Sequence, residues 1–310
     1  MNSPFRHLAA ARLVTALFVV ACGTRASPTA PGGGGDGGGG GGGGSGAGVP
    51  PLGHVVVVVE ENTDYSSAIG NASMPYLNSL ARQYALATNY HANTHPSIGN
   101  YFMLTVGRIV SNDDSYSGVV TDDNIVRRLI ADRKTWKSYA EDLPSVGYTG
   151  GDVGQYARKH NVIALLSDVV NAPVQRNNLV PFTQFAADLA NNSLPDYAFV
   201  VPNECNDAHD CPLGTADAWL KTNIDPLVKS PQFQRDGLLV IVFDEADGDN
   251  AGGGGRVACV IVSPKVKKGY ESATPYQHQS VLRLTGEALR LTTLPNDAAT
   301  APDMGEFFGP

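Results

Sequence analysis

The sequence predicts an α/β fold with a mostly parallel sheet sandwiched between helices. Runs of apolar, largely β-branched residues recur along the chain, and stretches with helical apolar spacing lie between them. A run without polar alternation is typical of a strand buried on both faces. Strands that alternate with helices form parallel sheets covered on both sides. The predicted strands cover residues 55–59, 197–201, 238–243 and 257–262.

The predicted helices occupy the intervals between the strands and the region after the last strand. Amphipathic spacing indicates helices over residues 74–84, 124–131, 182–191, 216–228 and 279–290. A further helix is predicted over residues 100–106, because Ser97 suits an N-cap after the stiff turn at Pro96 and Gly107 can end the helix. In a parallel sheet, active groups gather beyond the C-terminal ends of the strands. The residues that follow each strand are therefore the candidates for a site.

The first 51 residues have the composition of an export signal followed by a spacer. Arg6 and Arg12 precede an apolar run at 13–21, which is too short for a membrane-spanning helix but suits a secretory signal. The run leads into Cys22 in a pattern similar to the lipobox of bacterial lipoproteins, where the cysteine is lipidated. The alternative is an ordinary secretory signal that happens to end near a cysteine.

Glycine supplies 14 of the 17 residues from 32 to 48, and such a segment is a flexible tether with a reach of roughly 20–25 Å. We therefore predict a signal peptide at 1–22, a tether at 23–51 and one folded domain at 52–310. The predicted location is outside the cytoplasm. The protein would be lipid-anchored to a bacterial envelope membrane, or otherwise secreted or periplasmic.

The folded part carries an excess of negative charge. The whole chain has 22 Lys and Arg residues against 30 Asp and Glu residues, and 19 and 29 of these follow residue 51. This balance excludes the basic surface that nucleic-acid binding requires.

The cysteines after Cys22 suggest one disulfide and one buried thiol. Cys205 and Cys211 are six residues apart, and an oxidising compartment favours a disulfide between them. A metal site fits this spacing less well. Cys259 lies inside an apolar run and is predicted to be a buried small hydrophobe.

Two polar pairs directly follow two of the predicted strands. Glu61-Asn62 comes after the first strand and Asp244-Glu245 after the third. Either pair alone could be a solvated strand end or a helix cap. Because parallel strands end at the same edge, we expect both pairs to converge there. Carboxylate and amide oxygens are the ligands that hard divalent cations prefer, so the two pairs together predict a metal site.

Ser97 is the candidate nucleophile. At the start of a helix its hydroxyl lies near free backbone N–H groups, where a phosphate would be held. A divalent cation at the acidic pairs could activate this hydroxyl without a Ser-His-Asp triad. A serine that only caps the helix is the alternative. The Gly-x-Ser-x-Gly motif of lipases and esterases does not occur in the sequence.

Seven short segments, taken in order, resemble the bacterial and fungal phosphoesterase family, which contains secreted acid phosphatases and phospholipases C. This family is a branch of the alkaline phosphatase superfamily, and the resemblance implies an alkaline-phosphatase-like fold. The segments lie at 55–62, 95–107, 136–144, 156–161, 202–211, 243–245 and 276–280.

The resemblance also implies roles for individual residues. Ser97 matches the nucleophile, and His278 matches a late metal or phosphate ligand. Asn100 could hydrogen-bond a phosphate oxygen. The matches to the metal ligands are Glu61, Asn62, Asp244 and Glu245. The matches to groups near the phosphate or the leaving group are His160, Asp207 and His209. Two-metal relatives have a histidine at the position of Glu245, so one divalent cation is expected.

The sequence thus predicts an exported, metal-dependent acid phosphatase that hydrolyses phosphate monoesters through a phosphoserine intermediate. Its partner would be the phosphate ester, and it would contact a membrane only through the N-terminal lipid anchor. One alternative is a phosphodiesterase similar to phospholipase C. The other is a surface lipoprotein that binds phosphorylated ligands without turnover.

Overall fold

The part of the chain that the computed structural model describes, residues 48–309, is built on an eight-stranded sheet. The strand order is β4-β3-β5-β1-β6-β7-β2-β8. The strands are β1 His54–Glu60, β2 Ala85–Ala87, β3 Trp136–Ala140, β4 Leu179–Pro181, β5 Tyr197–Val201, β6 Gly237–Phe243, β7 Cys259–Val262 and β8 Tyr270–Ser272.

Helices fill the connections between the strands. The α-helices are α1 Tyr65–Ala68, α2 Pro75–Gln83, α3 Ser97–Thr105, α4 Ile125–Ala131, α5 Ser167–Val170, α6 Pro173–Arg176, α7 Thr183–Ala190, α8 Leu213–Asn223, α9 Asp225–Lys229, α10 Pro231–Asp236 and α11 His278–Ala288. Short 3₁₀ segments cover Arg158–His160, Val162–Leu165, Ala251–Gly253, Asn296–Ala299 and Gly305–Phe307.

The centre of the sheet is parallel, as the sequence predicts. β1 lies between β5 and β6, and both neighbours run parallel to it. The five valines from 55 to 59 are buried, because both faces of this strand are covered. β7 runs antiparallel to both β6 and β2. The connection from β6 to β7 contains one 3₁₀ turn and no α-helix, so it does not form the crossover that parallel pairing requires.

Two predicted helices differ from those observed. The stretch predicted at 216–228 is two helices, because α8 ends at Asn223 and α9 starts at Asp225. Pro226 lacks the N–H that would continue the first helix. α3 begins at Ser97 itself, with Pro96 as its N-cap, so Ser97 is the first helical residue and not the capping one. Gly107 follows the helix with φ +79°, as expected for a helix stop.

The cysteine predictions are confirmed. Cys205 and Cys211 form a disulfide, and Cys259 is a buried free thiol on β7.

The N-terminal segment packs against the folded part from Val49 onward, slightly earlier than the predicted start at residue 52. Val49 is buried, and its carbonyl accepts a hydrogen bond from Arg290 at 3.0 Å. The Leu52 N–H donates to the Ala288 carbonyl at 2.9 Å. The predicted signal peptide, the lipidation site Cys22 and nearly all of the tether lie outside the described residues.

None of the helices within residues 48–309 has both the length and the apolar character needed to cross a bilayer.

Candidate active site

The two predicted acidic pairs meet at the C-terminal edge of the sheet. β1 and β6 are parallel neighbours, and Glu60 pairs with Phe243 at their ends. The chain leaves both strands at the same level, where the Asn62 N–H donates to Asp244 Oδ1 at 3.2 Å. Asn62 adopts a left-handed conformation, φ +45°, which asparagine tolerates better than most residues. The edge thus presents both pairs to one site.

Ser97 lies between the two pairs. Its Oγ lies 3.1 Å from Glu61 Oε2 and 3.0 Å from Glu245 Oε1, so its single hydroxyl hydrogen can bond to either carboxylate. The side chain is buried, and the residue begins α3. The structure therefore brings the predicted nucleophile and both predicted acidic pairs together from three separate segments.

His95 also belongs to this site, although no sequence pattern indicates a role for it. Its Nδ1 lies 2.5 Å from Glu245 Oε2, and its Nε2 lies 3.3 Å from the Asp249 carbonyl. The only sequence signal is its position two residues before Ser97.

Tyr101 is a second site residue that sequence reasoning missed. It follows Ser97 by four residues, so both side chains lie on the same face of α3. Its hydroxyl donates to Glu61 Oε1. Its ring stacks on His160, with centroids 5.0 Å apart and an angle of 11° between the planes. A search of helix positions one turn after the nucleophile would have found it.

Glu61 is shared with a second group of buried side chains. His160 Nε2 lies 3.3 Å from Glu61 Oε1, and His160 Nδ1 lies 3.4 Å from Asp207 Oδ2. Glu61, His160 and Asp207 each offer one ligand atom, and these three atoms lie within 4.8 Å of one another. This trio could hold a metal ion.

Asp207 and His209 sit on a loop closed by the disulfide. Asp207 is buried, and its Oδ1 accepts the His209 N–H at 2.9 Å. The His209 ring is partly exposed, with Nδ1 2.8 Å from Asp210 Oδ1. Its centroid lies 6.2 Å from that of His160. Of the predicted histidines placed in the site, His209 is the one with a partly exposed ring.

His278 and Asn100 lie beside the site with their polar atoms bonded within the protein. His278 Nε2 lies 2.7 Å from the Asp244 carbonyl, and its Nδ1 lies 3.0 Å from the Tyr90 hydroxyl. The Asn100 side-chain oxygen accepts the N–H groups of Asn93 and Thr94. Both side chains support the loops around the site in this arrangement.

Burial shifts the charge states of the site. Burial, reinforced by neighbouring carboxylates, raises the pKa of Glu61 and the pKa of Asp244 well above their usual range. Burial also raises the pKa of Asp207 to about 7. The pKa of His160 is lowered well below its usual range by burial and by the positive charge of Lys159. Such a concentration of buried carboxylates is stabilised by protons or by a cation.

The donor atoms at the acidic pairs fit a divalent cation. Asn62 Oδ1 and Asp244 Oδ2 are buried and have no hydrogen-bond partner among residues 48–309. Buried polar atoms of this kind normally have partners. Together with the carboxylates of Glu61 and Glu245 they form an all-oxygen donor set, which is the type that hard divalent ions prefer.

Comparisons with known proteins identify related phosphatases. A model of the Phosphoesterase family matches residues 70–291. The chain is 34% identical over 238 residues to a probable acid phosphatase of Kluyveromyces lactis, covering 73% of this chain and 55% of that protein. A phosphate-repressible acid phosphatase of Penicillium chrysogenum is also 34% identical, over 72% of this chain and 55% of its own length. The chain thus spans about half the length of these fungal relatives.

A bacterial relative matches over most of both chains. The phosphatidylinositol-3-phosphatase of Mycobacterium tuberculosis is 33% identical over 264 residues, or 84% of each protein.

Solved structures share the fold at low sequence identity. An alkaline phosphatase superfamily protein from Vibrio parahaemolyticus has a TM-score of 0.51 at 14% identity, over 76% of this chain and 67% of its own. The lipoteichoic acid synthase of Listeria monocytogenes has a TM-score of 0.54 at 12% identity, over 80% and 73%.

Proposed function

Since the chain belongs to the phosphoesterase family and has the fold of the alkaline phosphatase superfamily, we propose that it is a metal-dependent phosphatase acting on phosphate monoesters. The observation that carries the proposal is the placement of Ser97. Its hydroxyl lies between two carboxylates at the start of a helix. The proposed nucleophile, the proposed cation site and a helix N-terminus are thereby combined at one point.

The residues proposed to hold the cation are Glu61, Asn62, Asp244 and Glu245. When bound, a divalent cation would favour the ionised serine hydroxyl and offset the charge of the phosphate. We propose one ion at these residues. The trio of Glu61, His160 and Asp207 offers room for a second. Metal analysis of the purified protein distinguishes one ion per chain from two.

Ser97 supplies the attacking oxygen. As its Oγ forms a bond to phosphorus, its hydroxyl proton is lost to solvent, because Glu61 and Glu245 are the proposed cation ligands and a bound cation would favour the ionised serine. The bond from phosphorus to the leaving oxygen breaks at the same time. The N–H groups at the start of α3 hold phosphate oxygens during this step.

His209 is proposed to donate a proton to the leaving oxygen. Its ring is partly exposed, whereas His160 is buried, and this burial lowers the pKa of His160 well below its usual range. A water molecule then attacks the phosphoserine, the Ser97–phosphorus bond breaks, and inorganic phosphate leaves. His160 lies between Glu61 and Asp207, where its ring N–H can donate to one of these carboxylates.

The experiment that tests the nucleophile is Ser97→Ala, assayed on an aryl phosphate with several divalent metals. We expect the variant to lose nearly all turnover while it keeps its fold and its metal content. Ser66→Ala, at an exposed serine of α1, is the control and should behave like the unchanged protein. Substantial activity in Ser97→Ala would refute the assignment.

A substrate comparison addresses the ester class. The matched relatives named above are acid phosphatases and a phosphatidylinositol-3-phosphatase, and these names favour monoesters. We expect nitrophenyl phosphate to be hydrolysed faster than bis(nitrophenyl) phosphate. The reverse order would favour the phosphodiesterase alternative. Phosphate binding without turnover under every metal would favour the non-catalytic lipoprotein.

Export and lipid anchoring belong to the same proposal. The disulfide between Cys205 and Cys211 supports an oxidising compartment. We propose that Cys22 carries the lipid. Incorporation of labelled fatty acid in a bacterial host should therefore be lost in Cys22→Ala. Equal labelling of that variant would refute the anchor.

A further inference from the structure

An aspartate outside the predicted site reaches the start of α3. Asp114 lies on the loop after this helix, and its Oδ1 accepts the N–H of Ile98 at 3.1 Å. Ile98 directly follows the nucleophile Ser97. The carboxylate therefore uses a helix N–H beside the reacting oxygen, in the place where a phosphate oxygen would bind.

The second oxygen of Asp114 faces a lysine. Asp114 Oδ2 lies 3.5 Å from Lys159 Nζ, and the same ammonium lies 4.0 Å from Glu204 Oε1. At these distances the ammonium makes loose ion pairs, and its donors remain available. Burial lowers the pKa of Lys159, but the charges of Glu61, Asp114 and Glu204 outweigh burial and raise it. Lys159 is thus a cation next to His160.

Gly99 of α3 allows the loop that carries Asp114 to lie close to the helix. A Cβ at Gly99 would lie 2.2 Å from Asn112 Oδ1 and 2.5 Å from the Thr94 methyl group. Glycine therefore lets the loop approach the first turn of the helix, and Asp114 follows two residues after Asn112.

Three buried polar atoms of the candidate site also lack a hydrogen-bond partner among residues 48–309. These atoms are His160 Nε2, Asp207 Oδ2 and Asp244 Oδ2. A ligand with several oxygens and its counter-ion would satisfy groups of this kind. The site at the start of α3 thus shows features of a ligand site beyond the helix terminus itself.

We propose that the Asp114 carboxylate occupies the position of a phosphate oxygen, and that a phosphate ester binds by displacing it from the Ile98 N–H and from Lys159. This inference rests on the proposed function. Asp114 holds the two kinds of donor that bind phosphate, a helix N–H and an ammonium group. Asp114 and a phosphate cannot occupy these donors at the same time. Asp114 therefore competes with the substrate for the Ile98 N–H and for Lys159.

The test is the inhibition constant for inorganic phosphate, measured against an aryl phosphate in the metal-loaded protein. Asp114→Asn removes the charge but keeps an oxygen for the Ile98 N–H. We expect it to lower the inhibition constant about tenfold. Lys159→Gln should raise the constant by a similar factor. Asp113→Asn, an equal charge change at an exposed neighbour, is the control and should leave it within about twofold.

The outcomes separate this inference from the proposed function. If the unchanged protein hydrolyses the ester but Asp114→Asn binds phosphate no more tightly, the competing role is refuted and the phosphatase remains. The same conclusion follows if Asp113→Asn has an equal effect, since the change would then reflect general charge. Absence of both turnover and phosphate binding in the unchanged protein would refute both proposals. Thermal unfolding of each variant confirms that it is folded.

Discussion

Tyr101 shows how much one side chain organises this site. It donates to Glu61 from the same helix that carries Ser97, and it stacks on His160. It therefore fixes the Glu61 carboxylate, which contacts both Ser97 and His160. Residues that orient metal ligands in this way often affect metal affinity as strongly as the ligands do.

We expect Tyr101→Phe to lower kcat/KM and metal affinity by about 10-fold or more, because the ring is kept but the donor to Glu61 is lost. Metal titration of the purified variant and steady-state kinetics measure both effects. Tyr270→Phe is the matched control, since it removes a hydroxyl that donates to Glu306. An unchanged metal affinity in Tyr101→Phe would contradict the orienting role.

The sequence predicted the residues at the strand ends but not their tertiary partners. Glu61 and Asp244 could be predicted because parallel strands place their C-terminal ends together. His95, Tyr101 and Asp114 enter the site through the path of loops and the rotation of α3. Those features depend on packing that local patterns do not encode.

Asp188 offers a test of pH dependence at the residue scale. Its carboxylate accepts from Lys137 Nζ at 2.5 Å, from the Tyr139 hydroxyl at 2.7 Å and from Gln184 at 3.0 Å. Burial raises its pKa, but these hydrogen bonds outweigh burial and hold the pKa below its usual range. They join α7 to β3, so the ionised form stabilises the fold.

We expect Asp188→Asn to lower the free energy of unfolding by about 2 kcal/mol at pH 7. Because the folded pKa is depressed, the stabilisation is fully present above the unfolded value of about 4 and is lost as the pH falls through the folded pKa. The deficit of the variant should therefore shrink between pH 5 and pH 3. Urea unfolding at these pH values measures the stability deficit of the variant. Asp247→Asn, at an exposed site, is the control. A deficit that grows toward acid would be inconsistent with the assigned sign.

At the scale of elements, the loop of residues 203–211 is held in place at two points. The disulfide between Cys205 and Cys211 closes it, and the Asp207 carbonyl accepts the Glu61 N–H at 2.7 Å. The loop thus ties Asp207 and His209 to the end of β1. Removing the disulfide should loosen these two side chains more than it weakens the fold.

We expect the double variant Cys205→Ser and Cys211→Ser to lose about 2 kcal/mol of stability. Its kcat/KM should fall about tenfold, because Asp207 and His209 lose their fixed positions. Activity assays and urea unfolding separate the two effects. The unchanged protein treated with a reductant should show the same loss and recover on reoxidation, whereas the double variant should not respond. Full activity in the double variant would rule out the positioning role.

The elements that the sequence predicted are the long ones. β1, β5 and β6 are continuous apolar runs, and their boundaries agree closely with the structure. β2, β4 and β8 have three residues each, too few to show a period. β3 has a polar, mixed sequence, WKSYA, that becomes a strand only beside β5.

At the scale of the whole molecule, the family and the fold class could be recognised from the sequence, because ordered short segments and strand–helix alternation are properties of the entire chain. The match of the family model to residues 70–291 confirms that prediction. The start of the folded part was predicted less well. Val49 and Leu52 pack against the end of α11, and only the tertiary structure shows this.

We expect a chain that starts at residue 48 to unfold at the same temperature as the full chain. A chain that starts at residue 54 should lose roughly 3 kcal/mol or more, since Val49 and Leu52 are both buried. Thermal and urea unfolding of the two truncated proteins measure the difference. Equal stability of both would show that residues 48–53 contribute nothing to the fold.

The two edge strands limit edge-to-edge pairing between the sheets of two molecules. β4 and β8 form the borders, and each offers only three residues of backbone. Pro181 ends β4 and cannot donate a hydrogen bond to an added strand. Long flat borders act as templates for fibre growth, and short interrupted ones do not. Although the core is rich in β-branched residues, the edges of this sheet therefore offer little template for amyloid-like fibres.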